Sequence, residues 1–197
     1  TVDAVIAMGG PMGTYDEAEH PWLVEEKRLI GEAVRAGVPY FGACLGVQLL
    51  AAALDAEVYP GAAPEVGVLP VELTPEGRED PLLADLPATL HGLQWHGDTF
   101  DLPDGATRLM SSPAYANQAF RWGSVAYGVQ FHLEIDEALA VEWAAIPAYE
   151  QAAAATLGPG GLDRMLADFR ARAVEMERHA RSLFGRWCAL AEQTAGG

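Results

Sequence analysis

Two short segments of this 197-residue chain hold residue types that can do covalent chemistry. In Gly42-Ala43-Cys44-Leu45-Gly46 a cysteine stands two positions from a glycine on either side. That pattern is the cysteine form of the G-x-S-x-G nucleophile turn, in which a strand folds sharply into a helix and only hydrogen fits at the crowded flanking positions. Such a turn lifts the sulfur above the first turn of the following helix. Free N–H groups and the positive end of the helix dipole there favour thiolate, and the N–H of Leu45 is placed to stabilise an oxyanion. In Gln130-Phe131-His132-Leu133-Glu134 a histidine and a glutamate are two apart. On a strand they share a face, with Cα atoms about 6.5 to 7 Å apart. A carboxylate on one ring nitrogen fixes the tautomer and leaves the other nitrogen for a thiol.

Each segment alone has a plainer reading. The first is equally a small buried cysteine in a tight turn, and the second is more often a solvated strand end. Their presence in one chain favours nucleophilic acyl transfer, provided the fold brings His132 to Cys44.

The elements needed to do this are legible as an alternation of short apolar runs and helical patterns from Thr1 to about Glu134, the signature of a layered α/β domain. Asp3 to Met8 reads as a buried strand running into the loop Gly9-Gly10-Pro11-Met12-Gly13. Trp22 to Ala36 reads as a helix, with Pro21 at its start, Gly37 at its end, and Leu23, Lys27, Ile30 and Val34 at helical spacing. Val38 to Ala43 is a second strand and Leu45 to Leu54 the helix behind it. Gly67 to Leu73, Leu90 to His96, Arg108 to Ser111 and Ser124 to Phe131 read as further strands, some antiparallel. Beyond Glu134 the chain is helical and alanine-rich: Asp136 to Ala145, then Leu162 to about Glu192. The second has an apolar stripe of Leu166, Phe169, Ala173, Met176, Ala180, Leu183, Phe184 and Trp187. It covers the core or meets a second protein chain, and the pattern does not decide which.

Composition narrows the partners. The formal charge is −16, and Lys27 is the only lysine among twelve basic residues. This disfavours nucleic acid and anionic membrane surfaces. No apolar run approaches a membrane span, and no basic leader precedes the first strand. Two cysteines in a chain of this size do not make a disulfide scaffold, so a reduced, cytoplasmic setting is expected. Cys188, between Trp187 and Leu190, is expected to pack in the core. The five histidines show no metal-ligand spacing with the cysteines, and no metal or other cofactor is expected.

At this point the chain resembles the class I (triad-type) glutamine amidotransferases, especially stand-alone proteins similar to the amidotransferase domain of GMP synthase. Three motifs carry the resemblance in order and spacing: Gly9 to Gly13, Gly42 to Gln48, and Gln130 to Glu134. It extends through Gln94-Trp95-His96-Gly97-Asp98 and Asn117-Gln118-Ala119-Phe120. The resemblance implies a three-layer, flavodoxin-like α/β fold with a mixed, mostly parallel sheet. It implies an amidotransferase domain over residues 1–146, with a helical C-terminal extension over 147–197 packed on it. Family members usually carry about one further βαβ unit before the strand that opens here, so the N-terminal portion is expected to be missing and apolar sheet surface left uncovered.

By resemblance, Cys44 is the nucleophile, His132 the general base and then acid, and Glu134 its orienter. Gly10 joins Leu45 in the oxyanion hole. Gln48 holds the amino-acid end of the substrate, and the backbone around Gln118, Ala119 and Phe120 helps. His96 and Asp98 are more readily structural than substrate-binding. The implied activity is release of ammonia from L-glutamine through a glutamyl thioester. The implied partner is a separate synthase subunit, and the acceptor is unknown. A γ-glutamyl peptidase of the same chemistry, and a non-catalytic partner subunit, remain as alternatives. A homo-oligomer is left open.

Overall fold

The computed structural model describes residues 2–195. Tyr40-Phe41-Gly42-Ala43 is buried at every position, as a strand covered on both faces must be. Its side chains alternate between two cores. Tyr40 joins Leu23, Ile30, Leu49 and Leu50 on one face. Phe41 and Ala43 join Phe169, Met176, Leu183 and Trp187 on the other. A sheet with a helical layer on each side follows, which is the three-layer α/β class.

The elements run β1 (Val5–Ala7), α1 (Trp22–Arg35), β2 (Tyr40–Ala43), α2 (Leu45–Ala53), β3 (Val58–Leu73), α3 (Pro75–Glu79), β4 (Thr89–Phe100), β5 (Ala106–Ser111), β6 (Ala119–Trp122), β7 (Ala126–Val129), α4 (Glu137–Ala144), α5 (Pro147–Leu157) and α6 (Gly161–Ala195). The sheet order is β1-β2-β7-β6-β5-β3-β4. Among the described residues β1 and β2 pair in parallel, as do β2 and β7, while the other four pairings are antiparallel. The sheet is mixed, as expected, with a smaller parallel share than the resemblance implies. The reason lies in the connections: β5 to β6 and β6 to β7 are joined by short turns, and a short connection cannot cross over to a parallel neighbour.

Helix α1 buries Leu23, Ile30 and Val34, and Gly37 ends it at φ +80°, its N–H bonded to the Val34 carbonyl. Lys27 leaves the stripe to bind the Thr14 carbonyl and Glu17. On the opposite face α6 lies against β3 and β4. Its buried apolar side chains are Met165, Phe169, Met176, Ala180, Leu183, Trp187 and Ala191. Phe41 packs on Phe184 and Trp187, with ring centroids 4.8 and 5.9 Å away. This helix covers the core. Cys188 is a correction to the expectation: it is exposed. Trp187 and Ala191 face the core, and one further residue turns the helix about 100° away from it. Strand β1 lies at the sheet edge, with Ile6 51% and Met8 45% exposed.

Candidate active site

The elbow is built by three close approaches. A Cβ on Gly42 would lie 2.4 Å from the backbone of Gly46, and one on Gly46 would lie 2.1 Å from the Ala7 carbonyl oxygen. One on Gly128 would meet the Val47 side chain at 2.4 Å. Hydrogen is the only side chain that lets α2 press onto β1, β2 and β7. Cys44 takes up the turn with backbone angles of φ +53° and ψ −106°, a strained region that costs about 1–3 kcal/mol. Its own N–H remains tied to the Val129 carbonyl at 2.9 Å. As first residues of α2, Leu45 and Gly46 have N–H groups with no acceptor within the helix.

His132 arrives from the end of β7. Its N–H and C=O both pair with Leu93 of β4, at 2.8 and 2.9 Å. Its Nδ1 lies 2.7 Å from Glu134 Oε1, and the second carboxylate oxygen accepts the Leu133 N–H at 2.9 Å. The other ring nitrogen faces the elbow. A Cβ on Gly9 would lie 3.5 Å from Cys44 Cβ and 3.8 Å from His132 Nε2, so cysteine and imidazole flank the same glycine. The edge of Trp143 packs on the imidazole at 4.7 Å between centroids.

The ring is fully enclosed, and burial alone disfavours its charged form. Hydrogen-bonding and charge interactions with Cys44 and Glu134 outweigh that and carry the His132 pKa up to about 10. Glu134 shows the mirror balance: burial raises its pKa, but the bond to His132 and their opposite charges bring it below the usual carboxylate value. Sulfur, imidazolium and carboxylate thus form one proton-holding unit.

Cys44 opens into a cavity of about 350 Å³, whose wall includes Gly10, Gly13, Gln48, Trp95, Asp98 and Tyr149. Helix α5 supplies Tyr149, whose backbone carbonyl accepts from Trp95 Nε1 at 3.2 Å. Burial, followed by the charge of Cys44, pushes the Tyr149 phenol up to about 12, so it stays neutral. Tyr15 donates to Asp98 Oδ2 at 2.9 Å, joining the Gly9–Gly13 loop region to β4.

Of the residues expected from sequence, Cys44, Gly10 and Gln48 meet at the cavity, with His132 and Glu134 behind the sulfur and Leu45 beside Gly10. Gln118, Ala119 and Phe120 are buried and do not line it. The Gln118 amide is engaged by Glu65 at 2.6 Å and Ser112 at 3.1 Å, and Phe120 packs on Phe100. His96 makes structural bonds, Nδ1 to the Asp98 carbonyl at 2.8 Å and Nε2 to Glu65 at 3.2 Å. The residues that sequence reasoning missed are Tyr15, Trp143 and Tyr149. Trp143 and Tyr149 stand in the helical segment after Glu134, and two aromatics among alanines were the available signal.

Residues 1–139 match the family model described as glutamine amidotransferase class-I. The chain is 36% identical over 135 residues to the glutamine amidotransferase-like protein YfeJ of Salmonella typhimurium, covering 67% of this chain and 56% of YfeJ. The matched part thus spans little more than half of that relative. It is 30% identical over 135 residues to one subunit of the glutamine-hydrolyzing GMP synthase of Sulfurisphaera tokodaii, covering 68% of each. The fold is similar to the crystal structure of a glutamine amidotransferase from Thermotoga maritima, with a TM-score of 0.81 and 34% identity over 92% of this chain and 77% of that one.

Proposed function

The chain belongs to the class I glutamine amidotransferases, and from that premise we propose that it hydrolyses the γ-amide of L-glutamine through a thioester on Cys44. One observation carries the reading: a cysteine at a positive-φ elbow opens into a cavity while an imidazole held by a carboxylate stands behind it.

The step runs as an acyl transfer. The Cys44 sulfur attacks the γ-carbonyl carbon, and the oxygen gathers charge against the N–H groups of Leu45 and Gly10. His132, protonated at neutral pH, gives its proton to the amide nitrogen, the C–N bond breaks, and ammonia leaves. Water then attacks the thioester, His132 takes its proton, and glutamate departs from the restored sulfur. Glu134 keeps the ring oriented and balances its charge throughout. Gln48 holds the amino-acid end of the substrate. The nitrogen acceptor belongs to a separate synthase protein, a reading supported by the similarity to one subunit of a GMP synthase. Two free thiols support a reducing, cytoplasmic setting.

The test is ammonia release from L-glutamine by the wild-type chain and by Cys44→Ala. The variant should release none while remaining folded, as read by a single cooperative melting transition. Equal release from both proteins refutes the assignment.

A further inference from the structure

The cavity wall carries two side-chain hydroxyl groups, Tyr15 and Tyr149, and they differ in one respect. Tyr15 donates to Asp98 Oδ2 at 2.9 Å. Tyr149 is held through its backbone carbonyl, which accepts from Trp95 Nε1 at 3.2 Å, while its hydroxyl has no hydrogen-bond partner among the described residues. The wall thus presents one phenol whose bonding capacity is already used and one whose capacity is free for a ligand.

Aromatic contacts fix where the free phenol stands. The Tyr149 ring sits between two indoles, with centroids 5.3 Å from Trp95 and 6.0 Å from Trp143. Trp143 in turn sets its edge on the His132 imidazole at 4.7 Å. Tyr149 is therefore on the imidazole's side of the cavity, and the charge of Cys44 reaches its phenol. Among the described residues α5 turns only Tyr149 and Ala152 to the cavity, so the phenol is the one large group that helix brings. During acylation the substrate oxygen turns to the N–H groups of Leu45 and Gly10, and the leaving nitrogen must lie within reach of His132 Nε2, which protonates it. The leaving nitrogen and the phenol thus share one side of the site. A primary amide carries two N–H donors there, and a neutral phenol oxygen accepts one of them. In a γ-glutamyl peptide or alkylamide, carbon replaces one N–H, and a ring wedged between two indoles has little room to yield to it.

We propose that Tyr149 is a specificity-determining residue: its hydroxyl accepts from the leaving nitrogen and its ring excludes a substituent there, so that the site takes a primary γ-amide and rejects γ-glutamyl peptides and alkylamides. This rests on the γ-amide hydrolysis proposed above and narrows its substrate class. The determinant lies on α5, outside the segments that carry the nucleophile and its base.

The experiment compares kcat/KM for L-glutamine and its γ-ethylamide. With either substrate the sulfur–carbon bond forms, the C–N bond breaks as His132 gives its proton to nitrogen, and the same glutamyl thioester remains. Only the amine differs, ammonia from one and ethylamine from the other. Because kcat/KM reads the steps up to that release, hydrolysis of the shared thioester does not enter the comparison. The wild-type chain should favour glutamine by at least about a hundredfold, one hydrogen bond and a steric clash combined. Tyr149→Phe keeps the ring and removes the acceptor, and should lower kcat/KM for glutamine about tenfold more than for the ethylamide. Tyr149→Ala opens the side of the site as well, and should raise kcat/KM for the ethylamide by about tenfold while lowering it for glutamine. A single cooperative melting transition shows that each variant is folded, and Tyr149→Phe decides the matter if the alanine protein is not.

Wild-type release of ethylamine as fast as ammonia, or a Tyr149→Phe protein that loses equally on both substrates, overturns the inference while leaving γ-amide hydrolysis standing. A folded wild-type chain that releases neither amine overturns both together.

Discussion

Replacing Glu134 with glutamine changes little in shape and removes two things the site needs. The carboxylate accepts from two donors at once, His132 Nδ1–H at 2.7 Å and the Leu133 N–H at 2.9 Å. An amide has a single acceptor oxygen, so one donor must face an NH₂ group whichever way the side chain turns. The negative charge beside the imidazolium also disappears. A hydrogen bond to a charged group is worth about 1.5–3 kcal/mol, which corresponds to roughly a ten- to hundredfold loss in kcat.

The pH profile carries a second signature of the same change. With Glu134 present the His132 pKa stands at about 10, so the proton needed by the leaving nitrogen is retained until the pH climbs through that value. Glu134→Gln removes one of the raising interactions and moves the alkaline limb of kcat to lower pH. Stability follows the same sign: the folded pKa lies above the ordinary value of 6.5, so this contribution is complete below 6.5 and is lost as pH rises through about 10. The assay is coupled ammonia release from glutamine between pH 6 and 10.5, with melting curves at each pH. A Glu134→Gln protein with wild-type kcat and an unshifted limb refutes the role given to this carboxylate.

Three further predictions concern the framework. Gly46→Ala drives a methyl group against the Ala7 carbonyl and should cost at least about 1–3 kcal/mol with loss of ammonia release, read by urea titration and assay. Gly185→Ala, on α6 with no atom within 4 Å of the added carbon, should instead stabilise by about 0.5–1 kcal/mol and raise the melting temperature by a few degrees. Phe169→Ala removes a side chain 1% exposed on α6 and should cost about 3–5 kcal/mol in a single unfolding transition. A separate early transition for α6, with the rest of the protein unaffected, contradicts its place in the core.

The site was legible in the chain wherever its constraints are local. Gly42 and Gly46 are required by backbone contacts inside one strand–turn–helix unit, and His132 and Glu134 by the two-residue repeat of a strand end. The cavity wall was not, because it is assembled across the chain. Helix α5 is not legible as an element of its own: Ala152 to Ala155 give it no apolar stripe, and its contribution rests on Tyr149. The first half of β3 is interrupted by Pro60, Gly61 and Pro64 and reads as a loop, and its register indeed shifts between Pro60 and Glu65. Strand β6 is only four residues long and carries Arg121, which pairs with buried Asp80 at 2.9 Å. The Gln118 segment was expected from the resemblance alone, and sequence does not show that it is buried with its side-chain amide held by the Glu65 carboxylate.

The two cysteines provide the most direct measurement. Cys188 is exposed and Cys44 is buried at the elbow, so unselective thiol chemistry should favour Cys188. Peptide mass spectrometry after brief exposure to a diazo-ketone analogue of glutamine should find the adduct on Cys44 and leave Cys188 unmodified, with excess glutamine slowing the reaction. An adduct on Cys188, with an unmodified Cys44 in a folded protein, contradicts the catalytic assignment.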